Sequence, residues 1–326
     1  MTEATAFWVE APGRGALRTE ELTDPRAGEV VVRTLYSGIS RGTEALVFRG
    51  EVPASERDRM RAPFQAGEFP GPVKYGYLNV GVVERGSPEL EGRTVFTLFP
   101  HQSAFVVPES AVAVVPRGVP PRRAVLAGAV ETAVNVLWDA APLVGDRISV
   151  IGAGMIGGCV ARLLAGIPGV DVVVVDQDPS KATVCEALGV QFATPDEAPS
   201  DRDLVIETSG SGEGLQLALQ SAATEGEIIE ASWFGDRAVS LALGGAFHSR
   251  RLTIRSSQVG MVAPRRRGTR TTADRLALAL SLLGDPAFDS LVTGGSSWRE
   301  LPALMAAIAD GSSAGLCHTV DWRDSA

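Results

Sequence analysis

Lysine is almost missing from this chain of 326 residues: Lys74 and Lys181 are the only two, and the other basic charges are arginines, a bias typical of GC-rich coding. The formal net charge is −9, so there is no broad cationic footprint for nucleic acid or an anionic membrane surface. Cysteine is scarce too. Cys159, Cys185 and Cys317 lie far apart and form no CxxC pair, which argues against a disulfide or zinc framework and for buried thiols in a reducing compartment. No apolar run approaches the roughly 20 residues of a membrane-spanning helix. The opening MTEATAFWVE lacks the basic-then-apolar order of a secretory signal. A cytoplasmic location is expected, with no nucleic-acid and no membrane partner.

What remains is 45% hydrophobic and 21% charged, an ordinary globular composition of a length that suits two domains. The most informative stretch is Arg147–Asp176, RISVIGAGMIGGCVARLLAGIPGVDVVVVD. Arg147–Ile151 is a β-branched run of the kind that makes a buried parallel strand. Gly152-Ala153-Gly154-Met155-Ile156-Gly157 follows, then a small, apolar helix at Cys159–Leu164 and a second strand, Val172–Val175, ending in Asp176. Gly152 permits the tight strand-to-helix turn, Gly154 lets backbone approach a pyrophosphate, and Gly157 lets helix pack on strand. The helix start, with Met155 and Ile156, offers amides and a positive dipole to phosphates. Asp176, 19 residues past Gly157, stands where a carboxylate accepts hydrogen bonds from both ribose hydroxyls of an adenosine. A glycine turn in a nucleotide-free α/β fold is the plainer alternative, and Asp176 argues against it. A 2′-phosphate would be repelled by Asp176, and Gln177 and Asp178 follow where an arginine would otherwise receive it. NAD(H) is therefore expected over NADP(H).

Along the chain, the first part reads as β-rich, with strands at Glu29–Leu35, Val80–Glu84, Thr94–Leu98 and Ala104–Val107 between glycine and proline signals. Arg122–Ala140 reads as a helix. After Asp176 come a helix at Pro179–Leu188, strands at Asp203–Glu207 and Glu227–Ala231, a helix at Gly214–Ala222 between them, and a last strand at Leu252–Ser256. Helices at Ala273–Leu283 and Glu300–Ala309 and a strand at Leu316–Asp321 close the chain. Ser209, and Ser232 with Trp233, follow sheet strands at their carboxyl ends, where ligands bind in open α/β sheets, and are candidates to line a nicotinamide site.

This layout resembles the medium-chain dehydrogenase/reductase superfamily, the zinc alcohol dehydrogenases and their zinc-free relatives, over essentially the whole chain. The stretches that carry the resemblance are TLYSGISRGTE (34–44), VKYGYLNVGVV (73–83), VETAVNVLWDA (130–140), the glycine motif, and AAIADGSSAGLCHTV (306–320). It implies an α/β protein: a GroES-like β-rich catalytic domain at 1–130 and 260–326, and a Rossmann doubly wound parallel sheet at 131–259. The active site is expected in the cleft between them, and the protein is expected to be a homodimer acting on a small molecule. The GISxGTE variant is reminiscent of the bacteriochlorophyllide-type dehydrogenase branch.

The departures from the family pattern carry their own information. Zinc members place a cysteine where this chain has Ser40, and a histidine where it has Tyr77. Hydroxyl and phenol are poor substitutes for thiolate and imidazole, because zinc favours nitrogen and sulfur donors. Glu131 falls where some polyol dehydrogenases have a remaining acidic ligand, but one carboxylate does not hold a metal, and the four-cysteine structural lobe is missing. No zinc is expected.

Carbonyl polarisation must then come from side-chain donors. All three tyrosines, Tyr36, Tyr75 and Tyr77, lie in the two segments that normally supply zinc ligands; core packing is the plain reading, above all for Tyr36. Lys74 lies beside them, either to lower a tyrosine pKa or as a solvated strand end. His101 follows a strand and is a natural proton carrier, whereas His248 and His318 look weaker. Glu131, on an otherwise apolar helix, needs a buried partner, and His101 is the expected one. The runs Glu56–Arg61 and Arg265–Arg267 read as solvated loops, with anion binding as the sharper alternative. The catalytic candidates are thus Tyr77, His101, Glu131, Ser40 and Lys74. The expected activity is a zinc-independent, NAD(H)-linked interconversion of alcohol and carbonyl. A quinone or enoyl reductase, or a nucleotide-binding regulatory protein without catalysis, stays open.

Overall fold

Short β-branched runs punctuated by glycine and proline build the first part of the chain into sheets, because branched side chains pack well on a pleated surface. In the computed structural model, which describes residues 2–325, the strand Glu29–Ile39 is the spine of this part. It pairs antiparallel with Asn79–Arg85, Ala104–Pro108 and Cys317–Asp321, so the last strand of the chain does return to the first region. The sheet runs Val292–Ser297, Cys317–Asp321, Glu29–Ile39, Asn79–Arg85, Thr94–Thr97, Val112–Val114. Val30, Val32, Val83, Val95, Phe99, Phe105 and Val107 form one of its buried clusters. A smaller sheet is built on the hairpin Thr2–Ala11 and Arg14–Leu22. This is the GroES-like half.

The other half is a parallel sheet with helices packed on it. In chain order its strands are Arg147–Ile151, Asp171–Val175, Gln191–Ala193, Arg202–Glu207, Ala222–Glu230 and Thr253–Ser256. Their spatial order is third, second, first, fourth, fifth, sixth. That is the Rossmann order, with the crevice where the order reverses, between the first and fourth strands.

The chain divides into two compact units, one running through Gly128 and resuming at Val292, the other spanning Ala129–Leu291. The expected return at residue 260 therefore comes later. The reason is a buried side chain: Arg275 donates to Glu131 and Asn135 and to the carbonyl of Val259, tying the helix Thr272–Leu282 into the second unit. The expected helix over Arg122–Ala140 is two helices, Pro121–Ala124 and Ala127–Ala140. Val292–Ser297 is a strand that its sequence, VTGGSS, does not announce by alternation.

Candidate active site

At the head of the parallel sheet, each motif glycine answers to a steric demand. Gly152 has φ of 101°, and a Cβ on it would lie 2.7 Å from the Ser209 amide nitrogen. A Cβ on Gly157 would lie 1.9 Å from the Gly152 carbonyl oxygen. Gly154 differs: a Cβ there would meet nothing within 4 Å. It precedes the helix Met155–Ala165, whose first amides receive no side-chain cap. Open space in front of uncapped amides at a positive helix end suits a pyrophosphate. Asp176 closes the site from the second strand. Its Oδ2 accepts the Ala153 N–H at 2.7 Å and its Oδ1 the Asp178 N–H at 2.9 Å. Gln177 is exposed beside it. Ser209 and Ser232 stand on neighbouring strand ends, and the Gly210 N–H donates to Ser232 Oγ at 3.0 Å; Trp233 follows, half-buried.

A second constellation lies in the first unit, where the spine strand ends at Ile39 and the helix Arg41–Arg49 begins after Ser40. Glu44, in the first turn, is 3% exposed. One carboxylate oxygen accepts the Ser40 N–H at 2.8 Å, so that a first-turn acid closes back on the residue before the helix. The other lies 2.7 Å from His101 Nε2, and His101 Nδ1 lies 2.7 Å from Ser37 Oγ. Trp322 Nε1–H donates to the same Ser37 oxygen at 2.8 Å. Ser37 Oγ thus accepts from the indole, a donor only, and meets Nδ1 of His101, whose other nitrogen meets Glu44. Gly76, with φ of 123°, permits the packing: a Cβ there would lie 2.9 Å from His101 Cδ2.

The Ser40 and Thr43 side chains neighbour the Tyr77 phenol and oppose the rise in its pKa. Burial, with the Glu44 carboxylate adding to it, pushes its phenol up to about 12. Tyr77 is consequently protonated across the physiological range and acts as a hydrogen-bond donor. Tyr75 stands edge-on to Tyr77 with ring centroids 6.0 Å apart, and burial raises its phenol well above the ordinary value.

Other sequence candidates fall elsewhere. Both nitrogens of His101 are engaged by Ser37 and Glu44, so the expected His101–Glu131 pair gives way to His101–Glu44. Glu131 is buried against Arg275 at 3.1 Å; burial raises its carboxyl and the guanidinium opposes this. Lys74 is not directed at the tyrosines: its ammonium donates to Glu20 at 2.5 Å and Gln102 at 2.7 Å. Tyr36 lies under Arg323, at the edge of a cavity of about 670 Å³ lined also by Arg122 and Asp321. Arg61 is paired to Glu68 at 2.8 Å. Thr43 and the Glu44–His101 contact were not anticipated from sequence. The signal was the acid four residues after the Ser40 helix start, a spacing that brings a first-turn carboxylate back to its own N-cap.

No protein-family profile matches the chain. Among curated proteins it is 28% identical to the 2-desacetyl-2-hydroxyethyl bacteriochlorophyllide A dehydrogenase of Rhodobacter capsulatus, over 64% of this chain and 67% of that protein. It is 26% identical to the D-guloside 3-dehydrogenase of Shigella flexneri, over 73% and 76%. Among solved structures, a short chain alcohol dehydrogenase of Escherichia coli, complexed with NADH, superposes with a TM-score of 0.77 at 16% identity, covering 98% of this chain and all of that one. A protein of Sinorhizobium meliloti described as a zinc-binding dehydrogenase, bound to NADP, gives 0.78 at 16% identity, covering 98% and 100%. The chain thus shares the medium-chain dehydrogenase fold and is similar to alcohol-type dehydrogenases, bacteriochlorophyllide dehydrogenases among them.

Proposed function

We propose that this chain, an alcohol-type oxidoreductase with the medium-chain dehydrogenase fold, interconverts an alcohol and a carbonyl on a small or medium organic substrate, using NAD(H) and no zinc. The observation that carries the reading is Tyr77: a phenol at a former ligand position, kept protonated by burial, with the Ser40 and Thr43 side chains beside it. The reading includes a homodimer in the cytoplasm, without nucleic-acid or membrane partners, in keeping with the net charge of −9.

The residues fit a nicotinamide dinucleotide. Gly152, Gly154, Gly157 and the amides of Met155 and Ile156 would hold its pyrophosphate, Asp176 and Gln177 its adenosine ribose, and Ser209, Ser232 and Trp233 its nicotinamide end. When bound, it supplies or accepts the hydride. Two relatives named for a guloside and a hydroxyethyl bacteriochlorophyllide favour alcohol chemistry over quinone or enoyl reduction. The residues do not fit zinc. Ser40 and Tyr77 present neutral hydroxyls where the ion favours thiolate and imidazole, and both nitrogens of His101 are already bonded. No step is therefore drawn through a metal.

An alkoxide that develops on the substrate needs a proton donor within hydrogen-bond reach. Tyr77 O–H is that donor, and Ser40 and Thr43 stabilise the phenolate while it lacks its proton. Glu44 keeps the Ser40 turn in place and, through His101 and Ser37, anchors it to Trp322. His101, 1% exposed, thereby acts as a positioning residue for Glu44 and not as an open proton port.

The test is a panel of alcohols, ketones, enones and quinones offered to purified protein while the absorbance of the reduced nicotinamide is followed, with and without a chelator. Turnover of an alcohol–ketone couple that the chelator leaves intact is the expected result. Turnover confined to enones or quinones moves the reading to C=C reduction, binding without turnover moves it to regulation, and loss of activity with stoichiometric zinc ends the metal-free part.

A further inference from the structure

Two neighbouring strands of the parallel sheet end in the same four-residue pattern, Ile206-Glu207-Thr208-Ser209 and Ile229-Glu230-Ala231-Ser232. Parallel pairing sets Glu207 directly opposite Glu230. Each glutamate bends back to its own serine two residues on: Ser209 N–H donates to Glu207 Oε1 at 2.7 Å, and Ser232 N–H to Glu230 Oε1 at 2.7 Å. The strands are then cross-linked, because Ser232 Oγ–H donates to Glu207 Oε2 at 2.7 Å.

We propose that Glu207 and Glu230 form a carboxyl–carboxylate clamp that shares one proton and, as a pair of positioning residues, fixes the Thr208–Gly210 and Ser232 turns against the glycine loop of the nucleotide site. This rests on the nucleotide reading given above. A count of donors decides where the proton sits. Glu207 accepts from the Ser209 amide, the Ser209 hydroxyl and the Ser232 hydroxyl, which suits an ionised group. Glu230 accepts one amide, and its buried Oε2 finds no donor among the described residues. A proton on that oxygen lets Glu230 donate to Glu207 instead of repelling it. Carboxylates on directly paired residues cannot both ionise cheaply, and the Glu230 carboxyl is accordingly raised to about 8, by burial first and by Glu207 second. Neighbouring cations are directed elsewhere: Arg255 on the adjoining strand to Glu227 and Asp139, and Arg237 to the Gly210 carbonyl.

The surroundings are built to this clamp. A Cβ on Gly214, in the first turn of the helix Gly212–Ser221, would lie 2.1 Å from Ser209 Oγ and 2.9 Å from Glu207 Oε1. That glycine lets the positive end of the helix approach the ionised partner. On the other side, Thr208 Oγ1 donates to the Ile151 and Gly152 carbonyls, both at 2.9 Å. The clamp therefore bears directly on the first motif glycine.

The experiment uses Glu230→Gln, whose amide is a permanent donor, with Glu230→Ala and Glu207→Gln beside it. Dissociation constants for NADH and for AMP are measured between about pH 6 and pH 9.5, and the cofactor-free thermal midpoint over the same range. Because Glu230 keeps its proton up to about 8 in the fold, against roughly 4.3 unfolded, stability falls as pH rises from the lower value to the higher. Glu230→Gln is expected to remove this decline and to hold at pH 9 the NADH affinity that the wild type has near pH 7. Glu230→Ala is expected to lose affinity at every pH, and Glu207→Gln to lose about tenfold or more for NADH and little for AMP. Wild-type pH dependence of the thermal midpoint in Glu230→Gln overturns the clamp. So do wild-type NADH constants in all three variants. If the wild type binds neither AMP nor NADH, the nucleotide reading fails and takes the positioning role with it, while the thermal arm still decides the shared proton.

Discussion

Glu44 and Glu131 are both nearly inaccessible acids on helices, yet the first faces an imidazole and the second a guanidinium. A guanidinium never yields its proton in a protein, so the Glu131–Arg275 pair is a fixed charge contact. It holds the Ala127–Ala140 helix to the segment around Val259. The Glu44–His101 pair is different: it is a chain of hydrogen bonds that runs on through Ser37 to Trp322, and its carboxylate closes the Ser40 turn beside Tyr77. The Glu131 contact ties two segments of one unit together, whereas the Glu44 contact shapes the turn beside the proposed proton donor. Damage to the two regions should therefore appear in different measurements.

The largest effect is expected at the first region. Removing a general acid typically costs about 10²–10⁴-fold in rate, so Tyr77→Phe should lower kcat by that factor while NADH affinity stays near wild type. Glu44→Gln should lower kcat less and shift its pH profile, because the amide still accepts the Ser40 N–H but no longer places a charge beside the Tyr77 phenol. Steady-state rates over pH, together with cofactor titration, check both. If Tyr77→Phe turns over at the wild-type rate, the donor lies elsewhere and the comparison collapses.

The second region should answer in stability. Arg275→Met strands Glu131 in the interior, and breaking a buried pair from one side typically costs about 3–5 kcal/mol. Denaturant unfolding measures the loss. Adding Glu131→Met should recover part of it, since two apolar groups of similar volume leave no buried charge. A large fall in kcat per folded molecule, with the stability unchanged, would place Glu131 in the chemistry after all.

The strand–helix–strand unit at the head of the parallel sheet is legible in the sequence because its parts are local. Gly152 through Asp176 span one strand–helix–strand unit, and each glycine is demanded by backbone geometry that the motif itself fixes. The Tyr77 network was legible only in fragments. Ser37, Ser40, Glu44, Tyr77, His101 and Trp322 come from separate strands, a helix and the chain end, and periodicity says nothing about which of them meet. The sequence shows that Glu131 needs a buried partner but not which one, and Arg275, its partner in the structure, lies in a helix expected in the other domain.

The smallest expected effect concerns cofactor choice. Asp176 has one job in the structure and a second in the proposed reading: its oxygens accept the Ala153 and Asp178 amides, and its carboxylate would repel a 2′-phosphate. Asp176→Asn removes the charge and keeps an acceptor, whereas Asp176→Ala removes both. The NADH-to-NADPH ratio of kcat/KM should therefore narrow about tenfold in both variants, which corresponds to roughly 1.4 kcal/mol. Only Asp176→Ala should also weaken NADH itself, because the glycine loop loses the acceptor that holds Ala153. A ratio that stays at the wild-type value in both variants would mean that repulsion by Asp176 does not set the preference. A wild-type ratio already favouring NADPH would remove the premise, and the exposed Gln177 would then be the residue to replace.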